Sequence, residues 1–154
     1  MLYSGCYYTA SHSINAKYRG GNLHDQAVAA TKKGIHWGLY HIVRARSVDE
    51  AKPECEQLYY TSLNYVPAYG LWLKLDLGND KTTNDAILDY YYKQLCSWGF
   101  QKACGIYCGQ TQLDRITWSK HNKHFYLMYI NRLSGGDYSD LEKVLDPTFF
   151  VVKD

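Results

Sequence analysis

Apolar and polar positions along this chain switch repeatedly between a strand-like run and a helical spacing. Leu2 to Tyr8 is apolar and aromatic and bounded by small residues, which predicts a strand. Leu23 to Lys33 places Leu23, Ala27 and Ala30 at helical spacing, and Gly34 follows as a C-cap. Trp37 to Val43 reads as a buried strand. Ser47-Val48-Asp49-Glu50 has the form of a capping box and opens a helix of about 17 residues. Pro53 lies close to that helix start, although past the first turn it costs a hydrogen bond. Gly70 to Leu77 predicts the next strand. Thr82 or Thr83 caps a second strong helix with Ile87, Leu88, Tyr91 and Leu95 on one face, and Gly99 ends it. Ala103 to Tyr107 is a short strand, Thr111 to Trp118 a short helix, and Phe125 to Ile130 another strand. Ser134 to Asp140 is a turn-rich loop, and Phe149 to Val152 closes the pattern as a last apolar run.

Strands that alternate with helices argue for an α/β fold of mostly parallel strands joined by right-handed helical crossovers. Both a barrel and an open doubly wound sheet fit that pattern. A full eight-unit barrel takes about 200 residues or more, so a chain of 154 residues is short for one. No linker composition, low-complexity tract or internal repeat divides it, and residues 1–154 are read as one domain.

Composition narrows the function classes. Seventeen basic against fifteen acidic residues leave a formal charge of +2, which carries no argument for nucleic acid or an anionic membrane. No stretch approaches the roughly 18 apolar residues of a membrane span. Five cysteines, Cys6, Cys55, Cys96, Cys104 and Cys108, have no small-scaffold spacing, so reduced thiols are expected. The first residues lack a basic segment followed by an apolar one, so no ordinary signal peptide is expected. The unusual feature is aromatic: 16 Tyr, 4 Trp and 4 Phe. Such rings fill cores, and they also line saccharide and peptide sites.

Ligand sites in parallel α/β folds lie beyond the C-terminal ends of the strands. The polar residues there are Thr9 to His12, His41, Arg44, Asp76 to Asp80, Cys108 to Gln110, Asn131 and Arg132. Carboxylates among aromatic platforms suit a sugar, whose C–H faces stack while a carboxyl group protonates the glycosidic oxygen. Asp76 fits such an acid or a solvated strand-end carboxylate. Asp146, before Pro147, fits a site carboxylate or the start of a turn. His41 fits a ligand contact or a satisfied core histidine. Tyr40, Trp72 and Tyr107 fit sugar platforms or core aromatics. Arg44 and Arg132 fit partners for an anionic peptide stem or solvated surface cations. Cys104-x-x-x-Cys108 is a single pair and a weak metal signal. His121-x-x-His124 sits in a Lys- and Asn-rich turn and reads as a solvated loop. Cys108 with His41 is a conceivable nucleophile and base, with nothing in the sequence to fix their geometry. No cofactor or metal is expected.

Several segments, in order, resemble glycoside hydrolase family 25, the Chalaropsis-type lysozymes. Gly34-Ile35-His36-Trp37-Gly38-Leu39-Tyr40-His41 resembles that family's G-[IL]-x-x-G-x-Y-H segment, and Ser47 to Ala51 its following helix start. Gly70-Leu71-Trp72-Leu73-Lys74-Leu75-Asp76 resembles the strand that carries its Asp-x-Glu pair. Gly99-Phe100 with Gly105-Ile106-Tyr107 resembles its G-[FY] … G-I-Y strand, and Leu145 to Phe150 its terminal V-D-x-N-x-F segment. Asp25 stands where the family often has an acidic residue. The resemblance implies a truncated or irregular (β/α) barrel of mostly parallel strands. It also implies a muramidase, an endolysin-like enzyme that hydrolyses the β-1,4 bond between N-acetylmuramic acid and N-acetylglucosamine in peptidoglycan without a metal. It further implies release through a separate holin or a place in a bacteriophage-type particle.

Carried over by position, Asp76 takes the place of the family's acid Glu and Lys74 that of its partner Asp. In a second register Asp76 replaces the Asp and Gly78 the Glu. Asp146 keeps its carboxyl in register. The family's opening D-[VI]-S-x-x-Q-G strand has no counterpart, so the chain is expected to start near the second strand and to leave an edge for a partner chain or a second copy to cover. Lys74 and Asp76 alternate along one strand and face the same side, so an ammonium beside Asp76 opposes an acid role. The readings are therefore a muramidase with a degenerate acidic pair and, as the alternative, a catalytically inactive cell-wall-binding or structural module on the same fold. A small interaction domain with accidental resemblance is a third.

Overall fold

The computed structural model describes residues 23–34, 36–63, 67–131 and 149–153. The expected first strand (Leu2 to Tyr8), the 134–140 loop, Arg132 and Asp146 lie outside the described residues. The chain runs α1 (Leu23–Lys32), β1 (Leu39–Val43), α2 (Val48–Ser62), β2 (Leu71–Leu75), α3 (Lys81–Ser97) and β3 (Cys104–Cys108). Two short helices follow, α4 (Gln110–Leu113) and α5 (Trp118–His121), then β4 (Tyr126–Asn131) and β5 (Phe149–Lys153).

Among the described residues the five strands are parallel and pair in chain order, β1-β2-β3-β4-β5. A doubly wound sheet reverses its strand order and carries helices on both faces. Unreversed order with right-handed crossovers places the helices on one face, which is how a barrel is wound. The fold is therefore α/β in the barrel sense expected from the sequence. Among the described residues β1 has one strand neighbour, β2.

Side-chain parity divides the sheet. Leu39, His41 and Val43 of β1, Leu71, Leu73 and Leu75 of β2, Cys104, Ile106 and Cys108 of β3, and Leu127 and Tyr129 of β4 are all buried. They meet the buried stripes of α2 (Ala51, Cys55, Leu58) and α3 (Ile87, Leu88, Tyr91, Leu95) in one core. The other parity is less enclosed and forms the open face considered below.

The helix ends follow the expected chemistry with two corrections. Ser47 Oγ accepts from the Glu50 N–H at 3.2 Å, as a capping box requires, but Glu50 Oε2 accepts from the Arg46 N–H at 2.7 Å instead of closing back on Ser47. The cap of α3 is Asp80, not Thr82 or Thr83. Its carboxylate accepts from the Thr82 N–H at 3.1 Å and from the Thr83 hydroxyl, and a carboxylate at a helix N-terminus also meets the dipole. The expected helix from Thr111 to Trp118 is two short helices, because the chain between them is held to other elements. Arg115 donates to the Leu77 carbonyl, Ile116 inserts into the core, and the Thr117 N–H donates to Asp85 Oδ1 at 2.9 Å. Gly70, before β2, has φ +71°, and a Cβ there would lie 1.8 Å from the Ala103 carbonyl oxygen, so this close approach of two chain segments needs glycine.

His121 corrects a further expectation. It is fully buried, not solvated, with Nε2 2.9 Å from Asp85 Oδ1. This contact ties α5 to α3. Burial raises the Asp85 carboxyl, but the hydrogen bonds from Thr117 and His121 outweigh it and hold the group below the usual carboxylate range. Asp85→Ala is expected to cost roughly 2–3 kcal/mol at neutral pH in urea unfolding. A carboxyl whose folded value is lowered contributes stability that is complete above about pH 4 and is lost as pH falls through the lowered value. The deficit should therefore shrink on acidification, and one that stays constant into acid would contradict this role.

Candidate functional site

The open face is built in two rows by strand register. Tyr40, Trp72, Gly105 and Tyr126 align across β1 to β4 in one row. Ile42, Lys74, Tyr107 and Met128 align in the next, one step nearer the C-terminal strand ends. The Trp72 ring lies over Gly105, where a Cβ would come within 2.3 Å of the indole. Glycine at that position is what lets the ring lie flat against the neighbouring strand. Trp72 Nε1–H donates to the Tyr69 carbonyl at 2.7 Å, which fixes the orientation of the ring.

Lys74 occupies the middle of the second row. Its Nζ lies 5.6 Å from the centre of the Tyr40 ring and 5.5 Å from that of Tyr107. The two rings are themselves 5.8 Å apart. Burial raises the Tyr40 phenol above its usual value, so the ring beside the ammonium is neutral, and its attraction is that of a ring face for a cation.

Arg44 and Asp76 stand at the strand ends. Arg44 Nε–H donates to Asp76 Oδ2 at 3.0 Å, and both side chains are about half exposed (48% and 50%). The backbone beneath them is fixed. The Asp76 N–H donates to the Val43 carbonyl, and Arg46 reaches across to the Arg44 and Asp76 carbonyls at 2.7 and 2.6 Å. After β2 the Leu77 N–H donates to Gln112 Oε1, while Asn84 Nδ2 donates to the Gly78 and Arg115 carbonyls. Of the other strand-end candidates, Asp80 serves as the α3 cap and Gln110 bonds Asp114 and the Tyr129 hydroxyl.

The structure thus brings Tyr40, Trp72, Tyr107, Arg44 and Asp76 to one face. His41 does not join them. Strand parity turns it to the helices, where it is 1% exposed, with Nε2 3.3 Å from Glu54 Oε1 and 3.2 Å from the Tyr91 hydroxyl. It is a core histidine on the helix side of the sheet. Cys104 and Cys108 lie on the same buried side, and burial pushes both thiols up to about 12, so Cys108 is a protonated core thiol and not a nucleophile. Among the described residues no three His, Cys, Asp or Glu side chains converge as a metal would need.

Sequence reasoning missed Glu54. It sits on the buried stripe of α2 with Ala51, Cys55 and Leu58, and a carboxylate at an apolar position of a helix was the available signal. Its Oε1 accepts from the Arg44 N–H at 2.8 Å and its Oε2 from the Ala45 N–H at 3.0 Å. Glu54 therefore sets where the chain leaves β1 and so where Arg44 stands. Glu54→Gln replaces one acceptor by a donor that faces an N–H. It is expected to cost roughly 2 kcal/mol in chemical denaturation and to shift the Arg44 and Ala45 amide resonances. Unchanged stability and spectra would remove this role.

This face can stack a flat apolar ligand surface on its aromatic rings and meet hydroxyl or anionic groups with Lys74 and Arg44. Glycosidic hydrolysis needs more, namely two carboxyl groups about 5–9.5 Å apart, one of them protonated. Asp76 is the carboxylate that β1 to β4 and their described ends place on this face, and Asp146 lies outside the described residues.

No protein-family model matches the chain, and no curated protein does. In fold it is similar to the modular autolysin LytC from Streptococcus pneumoniae, solved in complex with a synthetic peptidoglycan ligand. The TM-score is 0.61 at 17% identity over 72% of this chain and 28% of that one. It is also similar to GHIP, a glycosyl hydrolase 25 of Streptococcus pneumoniae described as a virulence factor participating in host cell invasion. There the TM-score is 0.58 at 18% identity over 82% of this chain and 56% of that one. The chain spans about a quarter of the first protein's length and about half of the second's. At these identities the likeness is one of fold, a distant relation to the α/β architecture of those hydrolases. Among the described residues no helix is long and apolar enough to cross a membrane.

Proposed function

We propose that this chain binds a cell-wall polysaccharide of the peptidoglycan type on the open face of its sheet, without hydrolysing it. The fold likeness supports the ligand class, since one of the similar proteins was solved with a peptidoglycan ligand. The observation that carries the reading is the state of the acidic pair. Lys74 stands over the Tyr40 and Tyr107 rings where the family resemblance places a carboxylate, and Asp76 Oδ2 accepts from Arg44. A general acid must present a proton to the glycosidic oxygen. An oxygen that accepts a hydrogen bond from a guanidinium is turned away from that task. Aromatic side chains line the same face, and ring stacking is what saccharide recognition needs first.

Hydrolysis by Asp76 with Asp146 is the second reading. It is favoured by the place of Asp76 at the C-terminal end of a parallel strand, where ligands of such folds sit. Both carboxylates then act in a muramidase with a rearranged pair.

The two readings separate in one preparation. Purified peptidoglycan is incubated with the wild-type chain and with Asp76→Asn, reducing ends are measured, and the bound fraction is sedimented. Binding without release by either protein is the expected result. Release that disappears in Asp76→Asn establishes the muramidase and removes the non-hydrolytic reading. Neither binding nor release, from protein shown to be folded, counts against peptidoglycan altogether.

A further inference from the structure

We infer that the groove between α2 and α3 is a second ligand site, built for a small organic cation, an ammonium group carried on apolar carbons. The groove belongs to the helix layer, and its lining comes from α2, α3 and the α3 C-cap. It shares no residue with the open face of the sheet, so the inference is independent of the saccharide reading.

Helical spacing lines the groove. Lys52, Glu56 and Tyr59 recur along one face of α2, and Tyr90, Gln94 and Trp98 along the facing side of α3 and its C-cap. Cys55 lies buried between the two rows. The space they leave is about 430 Å³, within the roughly 300–1,000 Å³ of small-ligand cavities. The Tyr59 and Trp98 rings meet with centres 4.9 Å apart and planes tilted by 36°. Tyr90 stands two turns before Trp98 on α3, so the groove is aromatic along its length. Tyr90 and Trp98 are also packed against the core, which holds both rings in place.

The sign of the charge in the groove selects the ligand. The Lys52 ammonium lies 2.7 Å from Asp49 Oδ1, so that cation is compensated from its own helix. Burial raises the Tyr90 phenol and pushes the Cys55 thiol up to about 12, so both groups are neutral. Glu56 is exposed at the rim and makes no ion pair among the described residues. The uncompensated charge of the lining is therefore negative. The aromatic ring faces carry the same sign through their quadrupoles. An ammonium is attracted by the carboxylate and the rings together. A neutral ligand of the same shape gains the packing alone, and an anionic one is repelled by both.

The test titrates three probes of one shape and different charge into the full chain at neutral pH: benzylammonium, benzyl alcohol and benzoate. The reporter is the indole N–H resonance of Trp98, followed beside those of Trp37, Trp72 and Trp118. Benzylammonium is expected to move the Trp98 resonance with an affinity about tenfold above that of benzyl alcohol, with benzoate weaker again. Glu56→Gln, at an exposed position, should cut that preference severalfold. Should this variant fail to fold, the wild-type chain still decides, since added salt should weaken benzylammonium and leave benzyl alcohol unchanged. Equal affinity for the three probes, a preference that Glu56→Gln or salt leaves unchanged, or shifts at Trp72 in place of Trp98 overturns the inference. Absence of any shift at Trp98 overturns it too. Each of these results leaves the saccharide reading intact, because that reading is decided on peptidoglycan at the other face.

Discussion

The buried carboxylate of Glu54 is the constraint on which the working end of the sheet depends. As β1 ends, the chain must turn away from its ladder, and the Arg44 and Ala45 N–H groups lose their strand partners. Glu54, projecting from α2, accepts both. The same carboxylate stands 3.3 Å from His41 Nε2, and that nitrogen stands 3.2 Å from the hydroxyl of Tyr91 on α3. Burial and then the Glu54 charge hold the Tyr91 phenol well above its usual value, so it stays a neutral hydrogen-bonding group. One polar cluster thus joins β1, α2 and α3 in a layer otherwise filled by Leu39, Val43, Leu58 and Leu88. Such clusters in low dielectric tolerate little displacement, because an unpaired member costs its full desolvation. The position of Arg44, and through it of Asp76, follows from this buried arrangement on the other side of the strand.

The two faces of the sheet therefore answer to different demands. On the helix side every position is held by packing or by the polar cluster. On the open side Lys74 stands over two tyrosine rings, and Trp72 lies on a glycine. A change of side chain there leaves the core untouched. This separation fits a likeness of fold that persists at 17% and 18% identity.

Much of this was legible in the sequence. The alternation of strand and helix, the stripe of Ile87, Leu88, Tyr91 and Leu95, and the Ser47 cap all depend on local patterns that the structure repeats. Barrel-wise winding was not legible from pattern alone, because strand order is set by how helices pack after they form. Parity within β1 was the costlier omission. Tyr40 and His41 are adjacent, so they must face opposite sides, and one of them had to leave the ligand face. The buried stripe of α2 required an apolar partner layer, which takes Leu39, His41 and Val43 inward and leaves Tyr40 outward. Glu54 and His121 were missed for a shared reason. Each is polar in isolation and becomes a core residue when a distant partner, the β1 end or Asp85, arrives to satisfy it.

Recognition and hydrolysis differ in how much geometry they need, and that difference bears on what such a face can lose. A displacement of about 1 Å at a reacting group costs on the order of a hundredfold in rate. Ring stacking is broad in both distance and angle and survives the same displacement with little loss. On the proposed non-hydrolytic reading, the ammonium in the middle row supplies no carboxyl group to a glycosidic bond, while the tyrosine rings it stands over keep their places.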